Sequence, residues 1–199
     1  MHTYLTRQLA LRAFFALVLA VAVGGLSTAH AAGVNYAVVL NGPSESPPNA
    51  SPGTGTATVT IDGVAHTMEI HLVFSGLIGT TTACHIHAAT AVPLAGTAGV
   101  ATTTPTFAGF PLGVQAGSYD VTLDMTMASS YNPAYVTAHG GTTAQAEADL
   151  FAAIAQGRAY LNIHTGGPGG FGGGEIRGFL VAPTPTDQTT WGGIKALYR

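Results

Sequence analysis

The chain has 199 residues, 47% of them hydrophobic and only 8% charged, with a formal net charge of −3. This balance excludes the basic surface that nucleic-acid binding requires, so no nucleic acid is expected among the partners. The single cysteine excludes an internal disulfide, so the domain has to be stabilised by its hydrophobic core.

The N-terminal segment has the order of features that is typical of a secretory signal peptide. Arg7 and Arg12 precede the apolar run 13–26, and a stretch of small residues ends at Ala31. We therefore predict that residues 1–31 are a signal peptide and that the protein is exported, to the periplasm or the extracellular space. The apolar run is shorter than the roughly 20 residues of a membrane span, so the mature form is expected to have none. An uncleaved anchor is the alternative.

Alternating hydrophobic residues predict the first three strands. Residues 36–40 are the first candidate, and "TATVTIDGVAHTMEIHLVF" then predicts a hairpin. Asp62-Gly63 is the expected two-residue turn, which makes Ile61 face Val64. His66 then falls on the core side near the turn. The second strand of the hairpin is expected to bury Met68, Ile70, Leu72 and Phe74, and to point Glu69 and His71 the other way.

The rest of the chain predicts four more strands. They are centred on His85 to His87, Tyr119 to Met125, "RAYLNIHT" with Leu161 and Ile163 inward, and "GEIRGFLV" with Ile176 and Leu180 inward. Many short alternating strands with glycine-rich turns indicate an antiparallel sandwich or barrel. The domain is expected to span residues 34–182, followed by a linker and short tail over 183–199.

One helix is predicted between the last strands. In "TTAQAEADLFAAIAQG", Thr142 precedes Gln145 by three residues as a capping box, and Gly157 ends the helix. Its packing stripe is expected to be Leu150, Phe151 and Ile154. Two long loops remain, 90–117 and the glycine-rich 165–175, and loops of such length are usually functional or mobile.

Strand parity places three histidines on one side of the sheet. If Ile86 and Ile163 are buried, His85, His87 and His164 all face away from the core. Two histidines in an H-x-H pattern with a third from a neighbouring strand make a set suited to copper or zinc. Further candidate ligands are His71 and Glu175, with Arg177 as a second-layer group or an anion guide. The alternative is a plain solvent-facing strand that binds no metal, and Cys84 is expected to pack inward.

Several short motifs together resemble the CHRD domain, the module named after chordin. They are Ser75-Gly76-Leu77, His85-Ile86-His87, the segment from Tyr160 to Thr165, and Gly174 to Gly178. The likeness covers residues 36–181. It departs from the family pattern at Cys84, where a small residue is usual, and in the extra glycines of the loop before Gly174. The resemblance implies an extracellular binding module for a protein or matrix ligand that the sequence does not identify.

The layout also resembles, more distantly, the copper–zinc superoxide dismutases. That likeness implies an all-β, antiparallel Greek-key β-sandwich with one short helix, in which His85, His87 and His164 would bind copper. No histidine or acid occurs between His87 and Tyr119 to supply a zinc loop, and the disulfide of those enzymes is missing. Fold analogy alone does not establish dismutase activity.

Three functions follow from the sequence. The first is a secreted CHRD-domain binding module with a surface histidine metal site, and it is not an enzyme. The second is a copper-dependent redox enzyme similar to superoxide dismutase, with Arg177 guiding an anion to the metal. The third is an extracellular structural or adhesive protein in which the site is incidental. An enzyme needs an open coordination position on the metal, whereas a binding module needs an exposed patch.

Overall fold

The computed structural model describes residues 33–182. The predicted signal peptide at 1–31 and the predicted tail at 183–199 lie outside this range. Within it, no helix is both long and apolar enough to cross a membrane.

Seven antiparallel strands form one continuous sheet that curls into a half-barrel. The sheet order is β4-β6-β7-β1-β2-β3-β5. The strands are β1 Val34–Asn41, β2 Thr54–Asp62, β3 Thr67–Ser75, β4 Thr80–Ala88, β5 Gly117–Asp124, β6 Ala159–Gly166 and β7 Ile176–Phe179. The helices are α1 Pro133–Ala138 and α2 Thr143–Ala155, with single 3₁₀ turns at Gly42–Ser44 and Ala128–Ser130. The prediction of an all-β, antiparallel architecture is confirmed.

The connections are of the Greek-key kind. Strands β1, β2 and β3 follow one another as neighbours, and the chain then crosses to β4 at the far edge of the sheet. It returns to place β5 beside β3, and it fills the remaining positions with β6 and β7. Two long segments contact the sheet from outside its strands. Segment 89–116 joins β4 to β5, and segment 167–175 joins β6 to β7.

The predicted core faces are correct, although the predicted hairpin turn is wrong. Met68, with its alternate neighbours in β3, is buried as expected. Ile61 pairs with Met68 and not with Val64, so the loop has four residues, 63–66. The Asp62 carboxylate accepts hydrogen bonds from two backbone N–H groups inside this loop and stabilises it. Because the partner of Ile61 shifts by an even number of residues, every side chain keeps its face.

The predicted helix is confirmed as α2, and a second one was missed. The Thr142 hydroxyl accepts a hydrogen bond from the backbone N–H of Gln145 and caps the first turn of α2. Leu150 and Ile154 are fully buried, and Phe151 packs partly buried against the core. The expectation of one short helix was wrong because Asn132 caps α1 as well and Pro133 opens it, an Asn-Pro signal typical of a helix start.

A bulge precedes the histidines of β4. Thr81 pairs with Thr165 and Ala83 with His164, so that Thr82 is the extra residue. After the bulge, Cys84 and Ile86 lie fully buried in the core, which confirms the inward position predicted for the cysteine. His85 and His87 therefore occupy the opposite face of β4.

Candidate metal centre

Two neighbouring strands bring three histidines together on the face opposite the core. His85 in β4 pairs with Asn162 in β6, and His164 lies two residues further along β6. The ring centroids of His85 and His87 are 4.7 Å apart, as are those of His85 and His164. His85 and His87 are only 6% and 8% exposed. The prediction that the three rings share one face of the sheet is correct. The prediction that this face is exposed to solvent is wrong.

The covering loops orient the rings of His87 and His164. The Nδ1–H of His87 donates to the backbone carbonyl of Ala98 at 2.8 Å, and that of His164 donates to Gly172 at 3.0 Å. A donor role for Nδ1 fixes the neutral tautomer with a free lone pair on Nε2. Histidine ligands in metalloproteins are commonly oriented by a carbonyl in this way.

Three buried imidazole nitrogens have no hydrogen-bond partner. They are Nδ1 of His85 and Nε2 of His87 and His164. One ligand nitrogen from each of these rings lies within 4.8 Å of the other two. Metal–imidazole bonds of about 2.0–2.1 Å would join all three once the rings close by roughly 1 Å. The donor set therefore fits an imidazole-binding transition metal such as copper or zinc.

The electrostatics of the cluster favour the neutral, ligating form of each ring. Burial, assisted by the charges of His87 and His164, lowers the pKa of His85 to about 3. Burial also lowers the pKa of His87 to about 4, against the opposing effect of its bond to Ala98. The pKa of His164 is lowered for the same main reason. All three lone pairs are therefore free of protons near neutral pH.

An aromatic ring and a buried cation lie beside the cluster. Tyr160 stacks on His87 with ring centroids 4.7 Å apart and planes within 5° of parallel. The Arg177 guanidinium lies over the Tyr160 ring, 4.7 Å from its centroid. Its Nε donates to the carbonyl of Ser44, and its Nη1 donates to that of Gly96 at 3.0 Å. The predicted face of Arg177 is correct, but the residue is 4% exposed and does not face solvent.

The other two predicted ligands lie elsewhere. His71 is on the exposed face of β3 and contacts the carboxylates of Asp120 and Glu69. The Glu175 carboxylate is buried and accepts four hydrogen bonds, from the hydroxyls of Ser51 and Thr165 and the backbone N–H groups of residues 78 and 79. Neither residue belongs to the three-histidine group. Glu175 ties the segments 51–53 and 77–79 to the end of the glycine-rich loop.

Sequence reasoning missed one buried acid near the site. Glu45 lies in the loop after β1, is 6% exposed, and approaches the Arg177 Nε at 3.9 Å. Burial raises the pKa of Glu45 to about 7, although the charge of Arg177 opposes the rise. A single acid among prolines in "GPSESPP" gave no periodic signal that could have placed it beside β7.

The family model of the CHRD domain matches residues 36–180 of this chain. No curated protein matches the sequence. No solved structure matches either.

Proposed function

The chain belongs to the CHRD domain family, and on that premise we propose that it is an exported binding module that holds one copper ion. The ligands are His85, His87 and His164. The observation that carries the proposal is the convergence of three buried imidazole nitrogens that lack any hydrogen-bond partner. Buried polar atoms are rarely left unpaired, so such a group calls for an explanation, and a bound cation supplies one.

Copper fits this donor set better than the other common metals. Three imidazoles suit copper and zinc, whereas magnesium and calcium require oxygen ligands. Copper binds nitrogen sites more tightly than zinc in the general order of divalent affinities. When bound, the ion would contribute Lewis acidity and access to a one-electron couple. The chain itself orients two of the rings through the carbonyls of Ala98 and Gly172 and buries His85 and His87.

Burial of the cluster favours binding over turnover. A copper redox enzyme requires an open coordination position that its substrate can reach. Here the free nitrogens are buried, and Arg177 is engaged with two carbonyls. We therefore prefer a binding module to the dismutase-like alternative. Export is supported by the arginines, apolar run and small residues at the N-terminus. The module's partner class would be an extracellular protein or matrix ligand.

Metal content tests the proposal directly. The purified protein is loaded with copper, passed through a desalting column and analysed for copper per chain. We expect close to one copper per chain, and loss of that copper in the His85→Ala/His87→Ala variant. His164→Ala should lose it too. The matched control is His71→Ala, which removes an exposed imidazole on β3 and should retain copper.

Two results would contradict the proposal. One is the absence of bound copper in the folded wild-type protein. The other is equal copper in the wild type and in the folded double variant, because the ion would then sit at other groups. Circular dichroism of each variant establishes that the comparison is between folded proteins.

A further inference from the structure

We infer that the three-histidine site selects monovalent copper over divalent metal ions. The inference rests on the proposed function and deepens it, because it assigns the oxidation state and charge of the ion that the module takes up.

Among residues 33–182, no anionic ligand is available to offset a second positive charge. The three donors are neutral imidazoles. Cys84 lies fully buried on the core side of β4, on the face opposite the three histidines. The Glu175 carboxylate is already saturated by four donors. A divalent ion bound by these three neutral rings would carry two uncompensated charges in a buried site. The free energy of desolvating two charges is far greater than that of desolvating one.

A cation beside the cluster adds to this discrimination. The guanidinium of Arg177 lies over Tyr160, and Tyr160 stacks on the His87 ring. The positive charge of Arg177 is therefore separated from the His87 ring by a single aromatic ring. Repulsion between two charges grows with their product, so Arg177 opposes a divalent ion twice as strongly as a monovalent one.

Glu45 offsets only part of this charge. Its carboxyl lies 3.9 Å from the Arg177 Nε, and its pKa is raised to about 7 by burial. At neutral pH the carboxyl is therefore only partly ionised. The Glu45–Arg177 pair therefore keeps a net positive charge. This charge lies next to Tyr160, which stacks on the His87 ring.

The number of donors points the same way. Copper(II) prefers four donors near one plane, and structural zinc sites are four-coordinate. In the described part of the chain, three ligand residues converge at this point. Cu⁺ can be satisfied by three imidazoles alone, whereas Zn²⁺, which has the same filled d shell, would need a water or an anion at a fourth position.

Competition titrations test the selectivity. Cu⁺ affinity is measured without oxygen against a chromophoric cuprous chelator, and Zn²⁺ serves as the redox-inactive divalent probe. We expect the wild-type protein to bind Cu⁺ more tightly than Zn²⁺. Arg177→Met should reduce the ratio of the two association constants by about tenfold, and Arg177→Lys should preserve it. Glu45→Gln should raise the ratio, and it decides the matter if Arg177→Met does not fold.

The outcomes separate this inference from the proposed function. Tighter binding of Zn²⁺ than of Cu⁺ would overturn the inference and leave a metal-binding module. The same holds if the ratio stays unchanged in both Arg177→Met and Glu45→Gln, since charge would then not set the preference. Failure to bind any of these ions would overturn the proposed function itself.

Discussion

The described histidines differ in the partner that each ring meets. His66, His71 and His139 contact carboxylates, of Glu147, of Asp120 and Glu69, and of Asp149 respectively. The hydrogen bonds that His71 donates to Asp120 and Glu69 raise its pKa. The three clustered rings meet backbone carbonyls or one another, and burial lowers their pKa. The carboxylate partners of His71 thus promote protonation of its ring, whereas the cluster keeps its lone pairs free for a ligand.

The first prediction concerns acid stability of the metal-free protein. The unfolded state binds protons at its histidines below about pH 6.5, while folded His85 and His87 stay neutral down to about pH 3 and 4. The folded state therefore binds fewer protons, and its free energy of unfolding should fall as the pH drops below about 6.5. Urea unfolding between pH 5 and 7 measures this slope above the range where carboxylates titrate.

The double variant His85→Gln/His87→Gln should flatten that slope, because two of the responsible groups are gone. The control variant His71→Gln removes a histidine whose pKa is raised and should not flatten it. A slope that is the same in the wild type and in the double variant would show that these rings are not buried in neutral form.

The second prediction concerns Glu175. Glu175→Gln should lower the free energy of unfolding by about 2–4 kcal/mol, because an amide NH₂ would face N–H donors that now bond a carboxylate. Burial by itself would raise the pKa of Glu175, but its four hydrogen bonds bring the pKa below the usual value. Urea unfolding at pH 7 gives the difference.

The control is Glu69→Gln on the exposed face of β3, which should change stability by no more than about 0.5 kcal/mol. Folded Glu175→Gln should still take up copper, because Glu175 lies outside the cluster. Loss of copper with unchanged stability would make Glu175 a ligand and contradict its structural role.

At the scale of the strands, parity was predictable and register was not. A period of two fixed which side chains share a face, and that placed His85, His87, His164 and Arg177 together. The first strand of the hairpin extends one residue further than predicted, to Asp62, and the second begins three residues later, at Thr67. Local turn preference favoured Asp-Gly, whereas the longer loop is stabilised by the hydrogen bonds of the Asp62 carboxylate and accommodates a positive φ at His66.

The burial of the site could not be predicted from the strands. It depends on segments 89–116 and 167–175, whose glycines and threonines have no period that fixes their path. The contacts that matter there are backbone carbonyls, those of Ala98 and Gly172. Every residue has a carbonyl, so no side-chain pattern marks the ones that orient a histidine.

The third prediction tests the close approach of β7 to β1. A Cβ on Gly178 would lie 2.2 Å from the carbonyl oxygen of Val39, so the two strands could not keep their distance. Gly178→Ala should destabilise the protein by about 1–3 kcal/mol, the usual cost of an overpacked contact. It should also weaken copper binding, because Arg177 and the cover over Tyr160 would shift with β7.

Gly63→Ala is the matched control for Gly178→Ala. A Cβ on Gly63 meets nothing within 4 Å, and this glycine needs no positive φ. We expect its unfolding midpoint and copper content to equal those of the wild type. A Gly178→Ala protein as stable as Gly63→Ala would mean that β7 moves away from β1 without cost.

On the scale of the whole molecule, the two faces of the sheet differ in what packs against them. One face of the curled sheet packs the hydrophobic core with α2, and the other face of β4, β6 and β7 holds the polar cluster beneath two long loops. Strand β4 is an edge strand, and the only cysteine of the chain is a free, buried thiol. An ion shared by β4 and β6 would fasten this edge where no disulfide does.

The last prediction follows from that arrangement. An ion that binds only the folded state stabilises it by about 2.7 kcal/mol at a free concentration one hundred times its dissociation constant. For a domain of this size, the melting temperature should rise by roughly 5–10 °C on copper loading. Calorimetry of the wild type and His71→Ala should show the rise, and His164→Ala should not. An equal rise in all three would place the stabilising ion away from the β4–β6 edge, and the unpaired nitrogens would then need another explanation.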